Sequence, residues 1–318
     1  MKIVRTVLGD IPPEELGMCY MHEHLIIDSP LVAHRLPHIH LPSAEDAIAE
    51  LGDCAAAGVR AMVDAMPCAS GRKVLELASI SRSTGIHVVA ATGLHTARYY
   101  EGAPWTREEP AAVLGELFRA DIETGIDRYD YTGPVVSRTS HRAGIIKCAT
   151  LGQRPDAGER RVFEAAARVH LATGAPVLTH CEEGLGADAQ LDLLNELGVP
   201  ADRIVLSHTD KRPDAGYHRE LLSAGVNLEY DQALRQGADT PKNSARLLSE
   251  MLAEGYSSQL MLGTDGARRS LWRTLEGGPG LAWLASEFPK VLAGYGIDDA
   301  TWRTLMVDNP ARFLSFEP

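Results

Sequence analysis

Short runs rich in Val and Ile alternate with longer amphipathic stretches from end to end of this 318-residue chain, and that repeated order limits the fold more than any other feature. Strand-length apolar runs separated by helix-length stretches specify βα units around a parallel sheet. Eight such runs are predicted, at residues 18–24, 59–65, 87–92, 144–147, 176–180, 204–208, 226–229 and 260–263. Between them, stretches such as 44–57, 159–173 and 187–197 carry apolar residues three or four apart, the spacing of outer-layer helices. Gly58, Gly85, Gly174, Gly198 and Gly225 each stand between a helical stretch and the next strand, where a left-handed residue can end a helix. The expected architecture is α/β, a (β/α)8 TIM barrel with a short N-terminal β-hairpin that turns at Gly9–Asp10. At the far end, Asp308 and Asn309 read as the cap of a last short helix, 311–315, entered through Pro310. A doubly wound open sheet is the alternative, and no glycine-rich phosphate fingerprint follows the first strand to support it.

With 45% hydrophobic residues the chain can bury a large core, and no Pro/Ser-rich linker divides it, so one domain over residues 1–318 is expected. No apolar run reaches membrane-spanning length, and the N-terminus has neither the charged start nor the apolar core of a signal peptide. A cytoplasmic protein with no membrane partner is the expectation. Lys and Arg total 31 against 43 Asp and Glu, a formal charge of -12, which disfavours nucleic acid and anionic lipid as partners. Cys19, Cys54, Cys68, Cys148 and Cys181 are odd in number and form no CxxC pair, so reduced thiols are expected.

The chemistry gathers at the predicted strand ends. In a barrel the loops after the strands surround one crevice, so side chains ending different strands meet there. His22 and His24 are two apart, a spacing that projects both to one face of a strand. Strands five and six end in His180 and His208, strand four in Lys147, and Asp265 follows strand eight. Four histidines and a carboxylate suit zinc or a similar first-row divalent metal better than calcium or magnesium. Each histidine alone has an ordinary explanation as a hydrogen-bonded core or loop residue; their joint placement argues for a metal centre. Lys147 is the anomaly, because a cation beside metal ions is electrostatically unfavourable. Either a nearby acid neutralises it, or burial lowers its pKa until the neutral amine adds CO2 and the carbamate becomes an anionic ligand. Cys148 and Cys181 follow two of these residues and should face the opposite side, into the barrel–helix layer. His34, His38 and His40, interrupted by Pro37 and Pro42, read as pocket wall or surface.

These residues, together with Thr6-Val7-Leu8-Gly9, the His-Glu-His-Leu segment and the closing Asn309-Pro310-Ala311-Arg312, resemble the phosphotriesterase-related proteins of the amidohydrolase superfamily along the whole chain. The resemblance implies that His22, His24 and Asp265 bind one metal and His180 and His208 the other, bridged by carbamylated Lys147 and by a hydroxide that attacks the substrate. It gives Asp265 the catalytic role of moving the nucleophile's proton toward the leaving group, and from the family alone it implies a homodimer.

The substrate must be read from the loops. The segment Gly266-Ala267-Arg268-Arg269-Ser270-Leu271-Trp272 resembles a branch of the family that opens lactones of phosphorylated sugars. Arg268 and Arg269 would supply the forked hydrogen bonds that a phosphate takes, with one of the pair entering the pocket. Lys211, Arg212, Arg235 and Lys242 are further candidate cations, Tyr99 and Tyr100 candidate donors to a lactone oxygen, and Gly277–Gly280 either an anion-binding nest or a tight turn. A lactonase acting on a small anionic substrate is the leading expectation, a phosphotriesterase or carboxylesterase the alternative. A metal-containing ligand-binding protein without turnover is the alternative of another class.

Overall fold

The structure is a computed structural model that describes residues 1–236 and 242–318. A two-stranded antiparallel hairpin, β1 (Val4–Thr6) and β2 (Gly9–Ile11), precedes an eight-stranded parallel sheet. The sheet strands are β3 (Met18–Glu23), β4 (Val59–Asp64), β5 (His87–Gly93), β6 (Ala143–Thr150), β7 (Val177–Cys181), β8 (Ile204–Ser207), β9 (Asn227–Tyr230) and β10 (Leu260–Leu262), paired in chain order. The sheet curls back on itself beyond β10, where the Asp265 amide donates to the His22 carbonyl at 3.0 Å. This is the expected TIM barrel with its hairpin, all eight strands falling where the apolar runs placed them. Among the described residues no helix is long and apolar enough to cross a membrane.

Two apolar layers follow from strand alternation. Met21, Ala61, Val63, Val89, Ile145, Leu178, Val205 and Met261 fill the barrel interior, and Val4, Leu16, Phe313 and Leu314 close its lower end. Odd and even neighbours such as Ile146, Cys148, Val177, Cys181 and Leu206 pack outward beneath the helices. Both cysteines therefore lie in the barrel–helix layer as expected, with burial pushing their thiols up and out of the reactive range.

Three local expectations are corrected. The hairpin turns at Val7–Leu8, pinned by the Thr6 hydroxyl donating to the Gly9 carbonyl at 2.8 Å, so Gly9 and Asp10 belong to β2. β6 runs three residues past Lys147, because Cys148, Ala149 and Thr150 still find partners on β7. The last helix is continuous with the helical turns before it, and Asp308 makes no side-chain cap. Asn309 instead donates to the Ser257 and Leu260 carbonyls at 2.7 and 2.8 Å, tying the C-terminus to β10. Gly174 does end its helix left-handed, at φ 74°. Gly93 answers to a closer constraint: a Cβ there would stand 2.0 Å from the Lys147 carbonyl oxygen.

Candidate metal centre

Strand alternation alone would not bring all six candidate ligands to one rim. On β3, Tyr20 pairs with Met62 but Glu23 with Asp64, so the strand holds an extra residue, and this bulge re-aims His22 after the inward Met21. On β8 the inward Val205 would send His208 outward; a left-handed φ of 64° turns it back. Asp265 is likewise left-handed, at φ 45°. A non-glycine residue in that region stores strain, and here two sit at one cluster.

The six residues bring their side chains together at the upper end of the barrel, none of these residues more than 8% exposed. His22 Nε2 lies 3.2 Å from Lys147 Nζ, His24 Nε2 3.5 Å from Asp265 Oδ1, and His180 Nδ1 2.8 Å from His208 Nε2. One ligand atom each from His22, His24 and Asp265 lies within 4.8 Å of the others, and the same holds for His22, His208 and Asp231. His180 belongs to neither triad and joins the cluster through His208.

The far nitrogens of three imidazoles meet carboxylates. Glu229 Oε2 lies 3.2 Å from His22 Nδ1 and Glu182 Oε2 2.8 Å from His180 Nε2. Asp231 Oδ2 lies 2.7 Å from His208 Nδ1, a close contact off the line of an ideal hydrogen bond. Carboxylates behind histidines fix the tautomer with its lone pair forward, the arrangement that metal-ligating imidazoles use. Burial first, then the neighbouring cations, holds His22 and His208 well below the usual imidazole range, and takes His180 down to about 3. The neutral imidazoles of His22, His180 and His208, facing one another with carboxylates behind them, cannot satisfy their own lone pairs, and His24 Nδ1 is buried without a partner. This donor set fits first-row divalent ions.

Burial brings Lys147 down to about 8 against the pull of Glu229, Asp265 and Asp231. Its hydrogen-bond partner is His22, and among the described residues no carboxylate forms an ion pair with it. Burial opposes ionisation of Asp265, but Arg235, 2.7 Å from Oδ2, and the adjacent histidines outweigh it and hold the carboxyl well below its usual range. Glu23, between the two histidines, faces the other way and accepts from the Thr264 amide and hydroxyl at 2.8 and 2.6 Å. It thereby clamps the loop that carries Asp265.

Above the cluster lies a cavity of about 270 Å³ with an apolar wall from Ile27, Leu36, Ile39 and Met66. Arg98, Lys211, Arg235 and Arg268 also line it, with Tyr99, His38 and His95. Arg269 turns away from the cavity and donates to the His40 carbonyl at 2.9 Å. Tyr100 is buried and does not line it, its hydroxyl accepting from the His95 amide at 2.6 Å. Arg212 lies over the Tyr217 ring, 3.9 Å from its centroid, and pairs with Asp214. The side chain of Lys242 lies outside the described residues. Gly277, Gly278 and Gly280 spend their amides on the Trp272, Ser270 and Leu271 carbonyls, so this run is a tight turn and holds no anion.

The sequence did not single out Glu182, Glu229, Asp231 or His95. One signal was present: Glu229 and Asp231 end β9 at the same two-residue spacing as His22 and His24.

The phosphotriesterase family model matches residues 2–314. A phospho-furanose lactonase of Mycoplasmopsis synoviae is 32% identical over 99% of this chain and 92% of its own. Among solved structures, an amidohydrolase from Mycoplasma synoviae superposes with a TM-score of 0.93 at 30% identity, covering 99% of this chain and 92% of that one. A lactonase from Listeria monocytogenes gives 0.91 at 26% identity, covering 99% and 100%. Likeness along nearly the whole length, in sequence and in backbone, leads to one conclusion: the chain belongs to the phosphotriesterase family.

Proposed function

We propose that this metal-dependent hydrolase is a lactonase that opens the ring of a phosphorylated sugar lactone, and that residues 1–318 form its one catalytic domain. The observation that carries the phosphate is the state of the four cations in the cavity. Arg98 is taken up by Glu182 and Arg235 by Asp265, whereas Lys211 and Arg268 have no ion-pair partner among the described residues. In a chain of net charge -12, two uncompensated cations beside the metal cluster suit a dianionic group on the substrate. The names of its relatives, lactonase and phospho-furanose lactonase, agree with this.

His22, His24, Lys147, His180, His208 and Asp265 would hold two divalent ions, zinc being the best match to the donors, with Lys147 carbamylated. When bound, such ions lower the pKa of water and polarise a carbonyl. The chain's own residues do the rest. Asp265 enters the reaction ionised, with Arg235 on Oδ2, and takes up the proton of the attacking water. It then returns that proton to the ring oxygen as the lactone C–O bond breaks, leaving a hydroxy acid. Lys211 and Arg268 grip the phosphate, the apolar wall excludes water, and Tyr99 packs against the sugar.

Purified, zinc-loaded protein should turn over phosphorylated lactones in preference to their unphosphorylated counterparts. Lys211→Met and Arg268→Met should raise KM for the phosphorylated substrate by about tenfold each and leave the unphosphorylated one unchanged. Equal kcat/KM for both substrates removes the phosphate from the proposal; faster turnover of aryl esters or organophosphates than of any lactone removes the lactonase.

A further inference from the structure

Glu182 plays no part in the reaction as described, yet the fold takes care to place it. Just past β7, Glu183 adopts a left-handed φ of 52°, which folds the chain back over the strand end. Before that turn, the Glu182 carboxylate lies 2.8 Å from Nε2 of His180, two residues earlier. From the other side Arg98, on the loop after β5, donates to both carboxylate oxygens at 2.9 and 3.3 Å while its guanidinium lies over the Tyr99 ring, 5.1 Å from the centroid.

We infer that Glu182, braced by Arg98, is a positioning residue that fixes the His180 proton on Nε2 and keeps the Nδ1 lone pair aimed into the metal cluster. An ionised carboxylate can only accept, and a neutral imidazole has one donor and one acceptor nitrogen. A proton held on Nε2 by Glu182 therefore leaves Nδ1, 2.8 Å from His208 Nε2, as the ligating atom. Glu229 and Asp231 stand behind His22 and His208 in the same way, but both are wholly buried in the barrel. Glu182 is reached from the mouth, with its side chain 21% exposed, and is braced by a residue of a different loop. The bond thus links the loop that carries Arg98 and Tyr99 to the hold on one metal ion.

This inference rests on the metal centre proposed above, and its test separates the two. Wild type, Glu182→Ala, Glu182→Gln and Arg98→Met are stripped of metal and titrated with zinc against a chromophoric chelator in bicarbonate buffer, and the metal-free proteins are melted in parallel. Glu182→Ala should weaken one of two zinc equivalents tenfold to a hundredfold, with the metal-free melting temperature unchanged. Glu182→Gln, which keeps an acceptor without its charge, should lose less, and Arg98→Met should move in the same direction by a smaller factor. Should Glu182→Ala fail to fold, the other two variants decide. Wild-type affinity for both equivalents in the variants overturns the inference, as does a metal-free melting temperature that falls with the affinity, since that marks a purely structural role. A wild type that takes up fewer than two equivalents overturns the metal centre itself.

Discussion

The carbamate proposed on Lys147 is the least common chemistry in the molecule, and the environment of this lysine makes it testable. CO2 adds only to a neutral amine. With burial bringing the group down to about 8, about a tenth of the chains are neutral at pH 7 and about nine tenths at pH 9. At fixed dissolved CO2, the carbamylation rate of metal-free protein, followed by the NMR signal of ¹³C-labelled carbamate, should rise about tenfold over that interval. A rate independent of pH contradicts a lysine poised in this way. Asp265→Asn keeps a ligand oxygen but removes the base, so turnover should fall at least about a hundredfold while most of the zinc is retained; unchanged turnover in the zinc-loaded variant contradicts the proton role. At this scale the sequence was informative where residue type is itself rare. Four histidines, a lysine and an aspartate at strand ends are conspicuous, and they meet. Glu182 and Asp231 were not legible, because acids after strands are commonplace and only the folded loop shows which imidazole nitrogen each one meets. Of Arg268 and Arg269, the residue pattern could say that one would enter the cavity, but not which.

The elements carry the site through a few unforgiving contacts. β5 and β6 approach so closely at Gly93 that a Cβ has no room beside the Lys147 carbonyl, and the strand must yield if one is added. Gly93→Ala should therefore lower the melting temperature sharply and displace Lys147, read as lost metal; a well-folded variant with full metal content contradicts that packing. Away from the rim, Arg72 is buried between Asp121 and Asp130 at 3.1 and 3.0 Å, and Asp121 also accepts from Thr92, Tyr131 and Arg138. This network pins residues 127–139 against the barrel. Removing one partner leaves buried charge uncompensated, so Arg72→Met should cost about 3–5 kcal/mol in denaturant unfolding. The sequence showed the elements through their apolar periodicity, and it showed Gly174 as a helix end. It did not show the β3 bulge or the left-handed His208 and Asp265, since nothing in a residue's type announces that tertiary closure of the rim will override strand alternation. The length of β6 was hidden for a similar reason: Ala149 is a weak strand former, and pairing with β7 carries the strand through it to Thr150.

At the scale of the whole molecule, an acidic protein holds, at the mouth of a barrel whose lower end is sealed by its own termini, two cations that have no ion-pair partner among the described residues. The composition disfavours broad contact with polyanions, and the cations lining the cavity are what the proposed small anionic substrate would meet. Local attraction in a screened field also predicts that kcat/KM for a phosphorylated lactone falls as salt rises from about 0.01 to about 0.5 M, with little change for an unphosphorylated one. All of this depends on two ions gathered by side chains drawn from five strands and the loops that follow them. The decisive measurement is the metal content of protein saturated with zinc in bicarbonate and freed of loose ions. Two equivalents per chain are expected, dropping in Lys147→Ala, which removes a proposed ligand; one equivalent or none in the saturated wild type contradicts the two-ion centre.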